Sequence, residues 1–126
     1  MSIETIPAQT PTRLFIGGTW LDSAAHLDVI NPATLTSLAH IGDATEEQAL
    51  HAVGAAHDAL GAWGDTSTRQ RSEILRRAFN IMTDEIEDCA RLIVLENGKA
   101  WPDAIGEATY AAEFFRWFSE EAVRVE

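Results

Sequence analysis

The chain has 126 residues and 46% of them are hydrophobic, which is enough for one domain with a core and too short for two ordinary domains. Nine basic residues against twenty acidic ones give a formal net charge of -11, so electrostatic repulsion excludes nucleic acid and anionic membranes as expected partners. Cys89 is the only cysteine, which excludes an internal disulfide and predicts a reducing, cytoplasmic location.

Short strands are predicted after the opening segment. MSIETIPAQTPT offers little apolar surface and no export signal, so residues 1–12 are predicted to be a flexible lead-in. In LFIGGTWLDS, Gly17 and Gly18 separate two apolar runs and can adopt positive φ, which favours a hairpin. A third run is predicted to end at Asn31 and Pro32, because proline has no N–H for a strand ladder. A fourth strand is predicted at about 37–41.

Helical periodicity begins near residue 44. Thr45 with Gln48, and Ser67 with Gln70, have the spacing of capping boxes, so each pair predicts a helix start. The expected fold class is therefore α+β, with a hairpin and short strands at 13–43 and about four helices at 44–126. Together these segments are expected to form one partial domain.

The helices are predicted to end where glycine or proline interrupts the apolar period. Residues 61–66 break the first helix, and Asn97 with Gly98 predicts a left-handed stop for the third. Pro102 suits the first turn of the last helix, where no N–H is needed. The predicted buried sides of the first three helices are Ala49, Val53, Ala56 and Leu60; Ile74, Leu75, Ala78, Ile81 and Met82; and Ile86, Ala90, Ile93 and Val94 or Leu95.

The last helix carries aromatic rings on two faces. In EATYAAEFFRWFSEEA, residues 107–122, a turn of about 100° per residue separates the rings into two sets. A surface helix has one apolar stripe, so the second stripe predicts cover from a cavity or from something else. The predicted core face has Ile105, Ala108, Ala112, Phe115, Ser119 and Ala122, with Phe118 at its edge; the opposite face has Tyr110, Phe114, Trp117 and Glu121.

The residues alone give no complete catalytic site. Cys89 lies in DEIEDCARLI, where acidic neighbours raise a thiol pKa, so it is predicted to be a buried structural thiol and not a nucleophile. His51 and His57 fall on opposite faces of the first helix and cannot share a zinc ion. The paired acidic residues are interpreted as solvated charge at helix starts and exposed faces. In ENGKA, Lys99 is interpreted as a solvated lysine after a helix stop, with an ammonium placed at the last helix as the alternative.

Four segments in order resemble one enzyme family. LFIGGTWLDS, VINPAT, AWGDTSTRQRSEILRRA and LENGKAWPDAIGEATYAAEFFRWFSEEAVRV resemble the N-terminal quarter of the aldehyde dehydrogenase superfamily, from about Arg13 to Glu126. GEATYAAEFFRWFSEEA most resembles the succinate-semialdehyde dehydrogenase branch. The resemblance implies an oxidoreductase that converts an aldehyde to a carboxylate with NAD or NADP, and it implies that this chain is part of the α/β cofactor-binding domain.

The resemblance assigns no catalytic residue to this chain. In the family, a cysteine thiolate forms a thiohemiacetal, an asparagine and backbone donors hold the oxyanion, and a glutamate activates water after hydride transfer to nicotinamide. Those residues and the cofactor site lie downstream of the matched segment. The chain alone is therefore expected to bind no cofactor and to be inactive.

The resemblance does imply two sets of binding residues. Tyr110, Phe114 and Trp117 would line the tunnel through which substrate reaches the thiolate. Val29 and Ile30, with Glu96, would provide oxygen ligands for a monovalent cation. A plain core and cap role for these residues is the alternative.

Three functions are compatible with the sequence. The chain is expected to be part of a dehydrogenase, as a fragment or a truncated gene product, and not a genuine small protein that reuses the segment. The alternatives are a non-enzymatic interaction module and a folded remnant. If the second aromatic stripe has no cover from the remainder of the enzyme, we expect self-association through it, domain swapping or partial disorder of the last helix.

Overall fold

The computed structural model describes residues 4–124, so the first three residues of the predicted lead-in and the last two of the predicted helical segment lie outside the described part. The α+β class is confirmed, because four strands precede four helices within that part. By its contacts the chain separates into two compact units, one formed by Ala8–Asp65 and the other by the remaining described residues. The expectation of one partial domain stays a prediction. The elements are β1 Leu14–Ile16, β2 Thr19–Leu21, β3 Ala25–Ile30, β4 Ser37–Asp43, α1 Glu46–Gly64, α2 Thr68–Asp84, α3 Ile86–Asn97 and α4 Trp101–Glu121.

Two antiparallel strand pairs form the sheets of the first unit. β1 pairs with β2, and the rings of Phe15 and Trp20 lie opposite each other with centroids 4.8 Å apart. Gly17 and Gly18 have φ values of 58° and 81°, so the predicted hairpin is confirmed. β3 pairs with β4, which extends two residues past its predicted end, to Asp43.

The turn between β3 and β4 is organised by Asn31. Its side-chain Oδ1 accepts a hydrogen bond from the N–H of Ala33 at 2.9 Å, and its own N–H donates to the Thr36 carbonyl at 2.9 Å. These contacts end the strand at the predicted place, because an Asx turn gives the backbone an alternative to the ladder. Leu35 completes the turn with a φ of 60°.

Helix α1 begins at the predicted capping box, in which the Gln48 N–H donates to the Thr45 hydroxyl at 3.2 Å. The predicted break is too early, since the helix continues through Gly61 to Gly64. Glycine fits helical φ and ψ at a cost of about 1 kcal/mol, which the rest of a 19-residue helix tolerates. The helix stop is Asp65, whose N–H still donates to the Gly61 carbonyl.

The predicted apolar stripe of α1 is wrong. Ala49, Val53, Ala56 and Leu60 are all exposed, with Val53 68% accessible. The half-buried side carries Ala52 and Ala55 instead. A Cβ on Gly17 would lie 3.7 Å from the Cβ of Ala55, an ordinary contact distance, so this side of α1 lies against the hairpin turn.

Helices α2 and α3 both pack on α4 in the second unit. α2 starts at the predicted Ser67–Gln70 capping box, and α3 ends at Gly98, whose φ is 69° and whose N–H donates to the Val94 carbonyl. Pro102 stands in the first turn of α4 as predicted. The buried residues of these three helices are small apart from Leu95: they are Ala90, Leu95, Ala104, Ala108, Ala112 and Ser119.

The predicted buried side of α2 is too wide. Leu75, Ala78 and Met82 are half-buried, but Ile74 and Ile81 are exposed, Ile81 to 57%. Because α2 packs mainly on one neighbour, α4, only a narrow stripe of its surface is covered. On α3 the prediction is confirmed for Ala90 and Leu95, which are buried, and Ile86, Ile93 and Val94 are half-buried.

Enlarging a small residue on the buried side of α4 should destabilise this unit. We expect Ala112→Leu to lower the free energy of unfolding by about 1–3 kcal/mol, because α2 and α3 leave no room for a branched side chain. Thr109→Leu makes a comparable change at an exposed position of the same helix and should cost under about 0.5 kcal/mol. Urea unfolding followed by circular dichroism measures both. Equal stability of the two variants would show that packing at Ala112 is loose.

Candidate functional site

Four exposed rings lie along α4, on a side other than that of its buried alanines. Tyr110 is 66% accessible and Trp117 is 57% accessible, and Phe114 and Phe118 are also exposed. The spacing of Tyr110, Phe114 and Trp117 places them along one face, as predicted. We call these four residues the aromatic face.

The aromatic face and the ion pair of Glu113 with Arg116 line an open recess of about 360 Å³. Tyr110 and Phe114 meet edge to face, with centroids 4.9 Å apart and planes at 79°. The rim is charged: Arg116 Nε donates to Glu113 Oε2 at 2.6 Å, and Arg116 Nη1 donates to Glu120 Oε1 at 3.1 Å. The hydrogen bond and charge of Glu113 raise the pKa of Arg116 above its ordinary value, so the guanidinium stays charged.

The predicted core face of α4 is correct for its small residues and wrong for Phe115. Ala108, Ala112 and Ser119 are buried, whereas Phe115 is 36% accessible. Helices that approach over alanine and serine leave no space for a phenylalanine ring. Phe118 lies at the predicted edge of the core, because it lines a small apolar pocket with Leu75 and Phe115, and it also borders the aromatic recess.

The aromatic face can bind and desolvate a ligand. Three of its rings are hydrocarbon, and Tyr110 adds a phenol as a hydrogen-bonding tip. The recess is lined by these rings with Glu113 and Arg116, so its chemistry is apolar contact and orientation by a charged rim.

Cys89 lies on α3, away from this recess, and is half-buried where full burial was predicted. Burial raises the pKa of its thiol, and the negative charges of Glu85 and Asp88 raise it further. The predicted direction is therefore confirmed. A thiol held in its neutral form is a poor nucleophile.

The predicted cation ligands lie in different units. Val29 and Ile30 end β3 in the unit Ala8–Asp65, whereas Glu96 is exposed near the end of α3. Their joint role stays a prediction. Between residues 4 and 124, no group of three or more histidine, cysteine, aspartate or glutamate side chains is arranged to hold a metal ion.

Lys99 is partly solvated, with 38% of its side chain accessible. Its Nζ forms an ion pair with Glu107 Oε2, which joins the loop after α3 to the first half of α4. The predicted helix stop at Gly98 is unaffected. In the part of the chain that is described, no helix combines the length and the apolar character that a membrane crossing requires.

Comparison with known proteins identifies relatives for most of the chain. The sequence pattern of the Aldehyde dehydrogenase family matches residues 20–126. The mitochondrial succinate-semialdehyde dehydrogenase of Homo sapiens is 42% identical over 114 residues, which are 90% of this chain and 21% of the human protein.

Solved structures agree in fold. The crystal structure of an Escherichia coli NADP dependent enzyme is 38% identical and superposes with a TM-score of 0.87 over 91% of this chain and 24% of its own. A succinate-semialdehyde dehydrogenase from Burkholderia pseudomallei is 34% identical, with a TM-score of 0.89 over 95% of this chain and 25% of its own. The chain thus spans about a quarter of the length of the relatives it matches.

The raised pKa of Cys89 predicts slow alkylation. We expect iodoacetamide to react with Cys89 in the folded chain more slowly than with the same cysteine in urea at pH 7, because less of the folded thiol is ionised. The rate in the folded chain should keep rising at a pH above the ordinary thiol pKa. Glu85→Gln removes one of the two charges and should lower that pKa. Mass spectrometry follows the reaction, and rapid alkylation of the native chain at neutral pH would contradict the assignment.

Proposed function

The chain belongs to the aldehyde dehydrogenase family, and we propose that it is the N-terminal part of an NAD(P)-dependent enzyme of the succinate-semialdehyde type. The observation that carries the proposal is the 42% identity to a succinate-semialdehyde dehydrogenase over 90% of the chain. The full enzyme would oxidise an aldehyde to a carboxylate. The nicotinamide cofactor, when bound to the full enzyme, accepts the hydride.

In this proposal the chain supplies shape and a dry surface, and the reacting groups come from the rest of the enzyme. Tyr110, Phe114 and Trp117 form one wall of the passage to the catalytic thiolate. Their rings exclude water from the aldehyde, which favours a fixed orientation of the carbonyl before attack. The charged rim at Arg116 and Glu113 marks the border between the recess and solvent.

The second proposed contribution of the chain is part of a cation site, whose remaining ligands would come from the rest of the enzyme. The backbone oxygens of Val29 and Ile30 and the carboxylate of Glu96 would take part in a monovalent cation site of the whole subunit, since oxygen donors suit such ions. The chain alone would be inactive, because the family's nucleophile, oxyanion donors and cofactor residues belong to the other three quarters of the enzyme.

A chimera tests this role. We expect this chain, placed in the Burkholderia pseudomallei succinate-semialdehyde dehydrogenase in exchange for the matching quarter, to yield an enzyme that reduces NAD or NADP with succinate semialdehyde. The pure 126-residue chain should show no such reduction. Phe114→Ser with Trp117→Ser in the chimera should lower kcat/KM about tenfold or more, because each ring gives up roughly 1.5–3 kcal/mol of apolar contact.

The matched control for the chimera is Ile81→Ser, which removes an exposed apolar side chain from α2. It should leave kcat/KM unchanged within about twofold. Turnover by the pure chain would overturn the proposed division of labour. If the chimera folds and the double variant and the control have equal kcat/KM, the aromatic face does not line the substrate passage.

A second candidate function, a module that binds another copy of this chain, is favoured by the exposure of the rings. Four aromatic side chains in contact with water each forgo roughly 1.5–3 kcal/mol of burial, a large part of a typical net stability of about 5–15 kcal/mol. Pairing of two aromatic faces would recover much of this free energy.

Self-association of the isolated chain should therefore depend on these rings. We expect sedimentation velocity to show a dimer or larger species whose population falls at least about tenfold in Phe114→Ser with Trp117→Ser, since that change removes two contact rings from each copy. Ile81→Ser should leave the population unchanged. A monomer that binds no apolar dye at any concentration would instead support a folded remnant without a partner.

A further inference from the structure

A second and larger cavity lies between α2 and the end of α4. Its volume is about 770 Å³, within the range of small-molecule pockets, roughly 300–1,000 Å³. Four arginines line it: Arg69, Arg76 and Arg77 from α2, and Arg124 just beyond α4. We call it the arginine cavity. It gathers four of the nine basic residues of a chain whose net charge is -11.

Two carboxylates, those of Glu73 and Glu120, line the cavity together with the four arginines. Arg76 Nη2 donates to Glu120 Oε1 at 3.0 Å, but the same oxygen also accepts from Arg116 Nη1 at 3.1 Å. Arg124 pairs with Glu121 at 3.1 Å. Among residues 4–124, no carboxylate lies within ion-pair distance of Arg69 or Arg77. Among the described residues, Glu73 included, these two guanidinium groups of the lining therefore have no ion-pair partner.

The walls of the cavity are held in place by the packing of α2 on α4. The Ser72 hydroxyl donates to the carbonyl of buried Ser119 at 2.6 Å, which ties the two helices together beside the cavity. The guanidinium carbon of Arg76 lies 5.7 Å from the ring centroid of Phe79, so its position is fixed by the ring as well as by Glu120. A pre-positioned guanidinium loses less freedom when it binds an oxyanion.

The dipole of α2 adds to the positive charge at the cavity. Arg69 stands in the first turn of α2, where the dipole is positive and a second positive charge is unfavourable. An anion in the cavity would interact favourably with the dipole and with the unpaired guanidinium groups together. Arginine forks bind phosphate and carboxylate oxygens in pairs, which gives direction as well as charge.

We propose that the arginine cavity binds a small polyanion that carries two or more phosphate or carboxylate groups. The cavity has room for several such groups around a compact organic framework. It shares no lining residue with the aromatic recess, so the ligand differs from an aldehyde substrate. The proposal does not depend on the enzymatic role of the chain.

The test titrates the full chain with inorganic diphosphate and, separately, with citrate, at low ionic strength. Isothermal titration calorimetry should give saturable binding of one anion per chain. Arg69→Gln and Arg77→Gln should each weaken it about tenfold, since each removes a charge-assisted hydrogen-bond donor. Arg13→Gln removes the same charge from the unit Ala8–Asp65 and should leave the affinity within about twofold.

The two ligands separate the two sources of oxyanion. Tighter binding of diphosphate identifies a phosphate compound as the natural ligand, and tighter binding of citrate identifies a polycarboxylate. In the unsubstituted chain, the side-chain Nε–H signals of Arg69 and Arg77 should shift on titration, and this measurement does not depend on the folding of any variant. Absence of saturation up to about 10 mM of both anions would overturn the proposal. Equal loss of affinity in Arg13→Gln would overturn it too, since binding would then follow net charge alone.

Discussion

Close packing of three helices over small side chains is the constraint on which the helical unit depends. Ala104, Ala108, Ala112 and Ser119 form one side of α4, and α2 and α3 pack on it closely because α4 presents nothing larger than serine there. A ring at these positions would force the helices apart and lose the dispersion contacts of the core. The large side chains of α4 therefore point outward, which produces the aromatic face.

The same rule operates in the unit of strands and α1. Ala52 and Ala55 of α1 are half-buried, while Val53 and Leu60 are exposed. Helices α1 and α4 thus cover small side chains and leave large apolar ones accessible, the reverse of what hydrophobic burial favours in a self-contained domain, although Ile16 and Leu95 are buried. This pattern supports the proposal that the large side chains meet other protein in a longer enzyme, since each would bury its apolar surface there.

The helices and strands were predicted well from the sequence because their ends depend on local contacts. Burial was predicted poorly because it depends on packing between elements. The capping boxes at Thr45 and Ser67 and the left-handed stop at Gly98 depend on residues next to each other in the chain, so their patterns are sufficient. Burial of Val53 or Ile81 depends on which neighbour packs there and how closely. Periodicity gives the direction of a side chain, and it says nothing about the distance to the next element.

The aromatic face could be predicted from the sequence, whereas the arginine cavity could not. Tyr110, Phe114 and Trp117 share one helical face by spacing alone, so their grouping was predictable. The sequence contains one sign of the arginine cavity, the segment RQRSEILRR. This segment places Arg69 and Arg76 seven residues apart on α2, a pattern that is also typical of an ordinary solvated helix face.

The contribution of Arg124 requires the packing of α2 on α4, which no local pattern contains. One carboxylate also connects the two surfaces, because Glu120 accepts from Arg76 beside the cavity and from Arg116 at the rim of the aromatic recess. An anion that engaged Arg76 would compete with Glu120. Since exposed ion pairs are worth only about 0–1 kcal/mol, this competition would move the charges at the rim without unfolding α4.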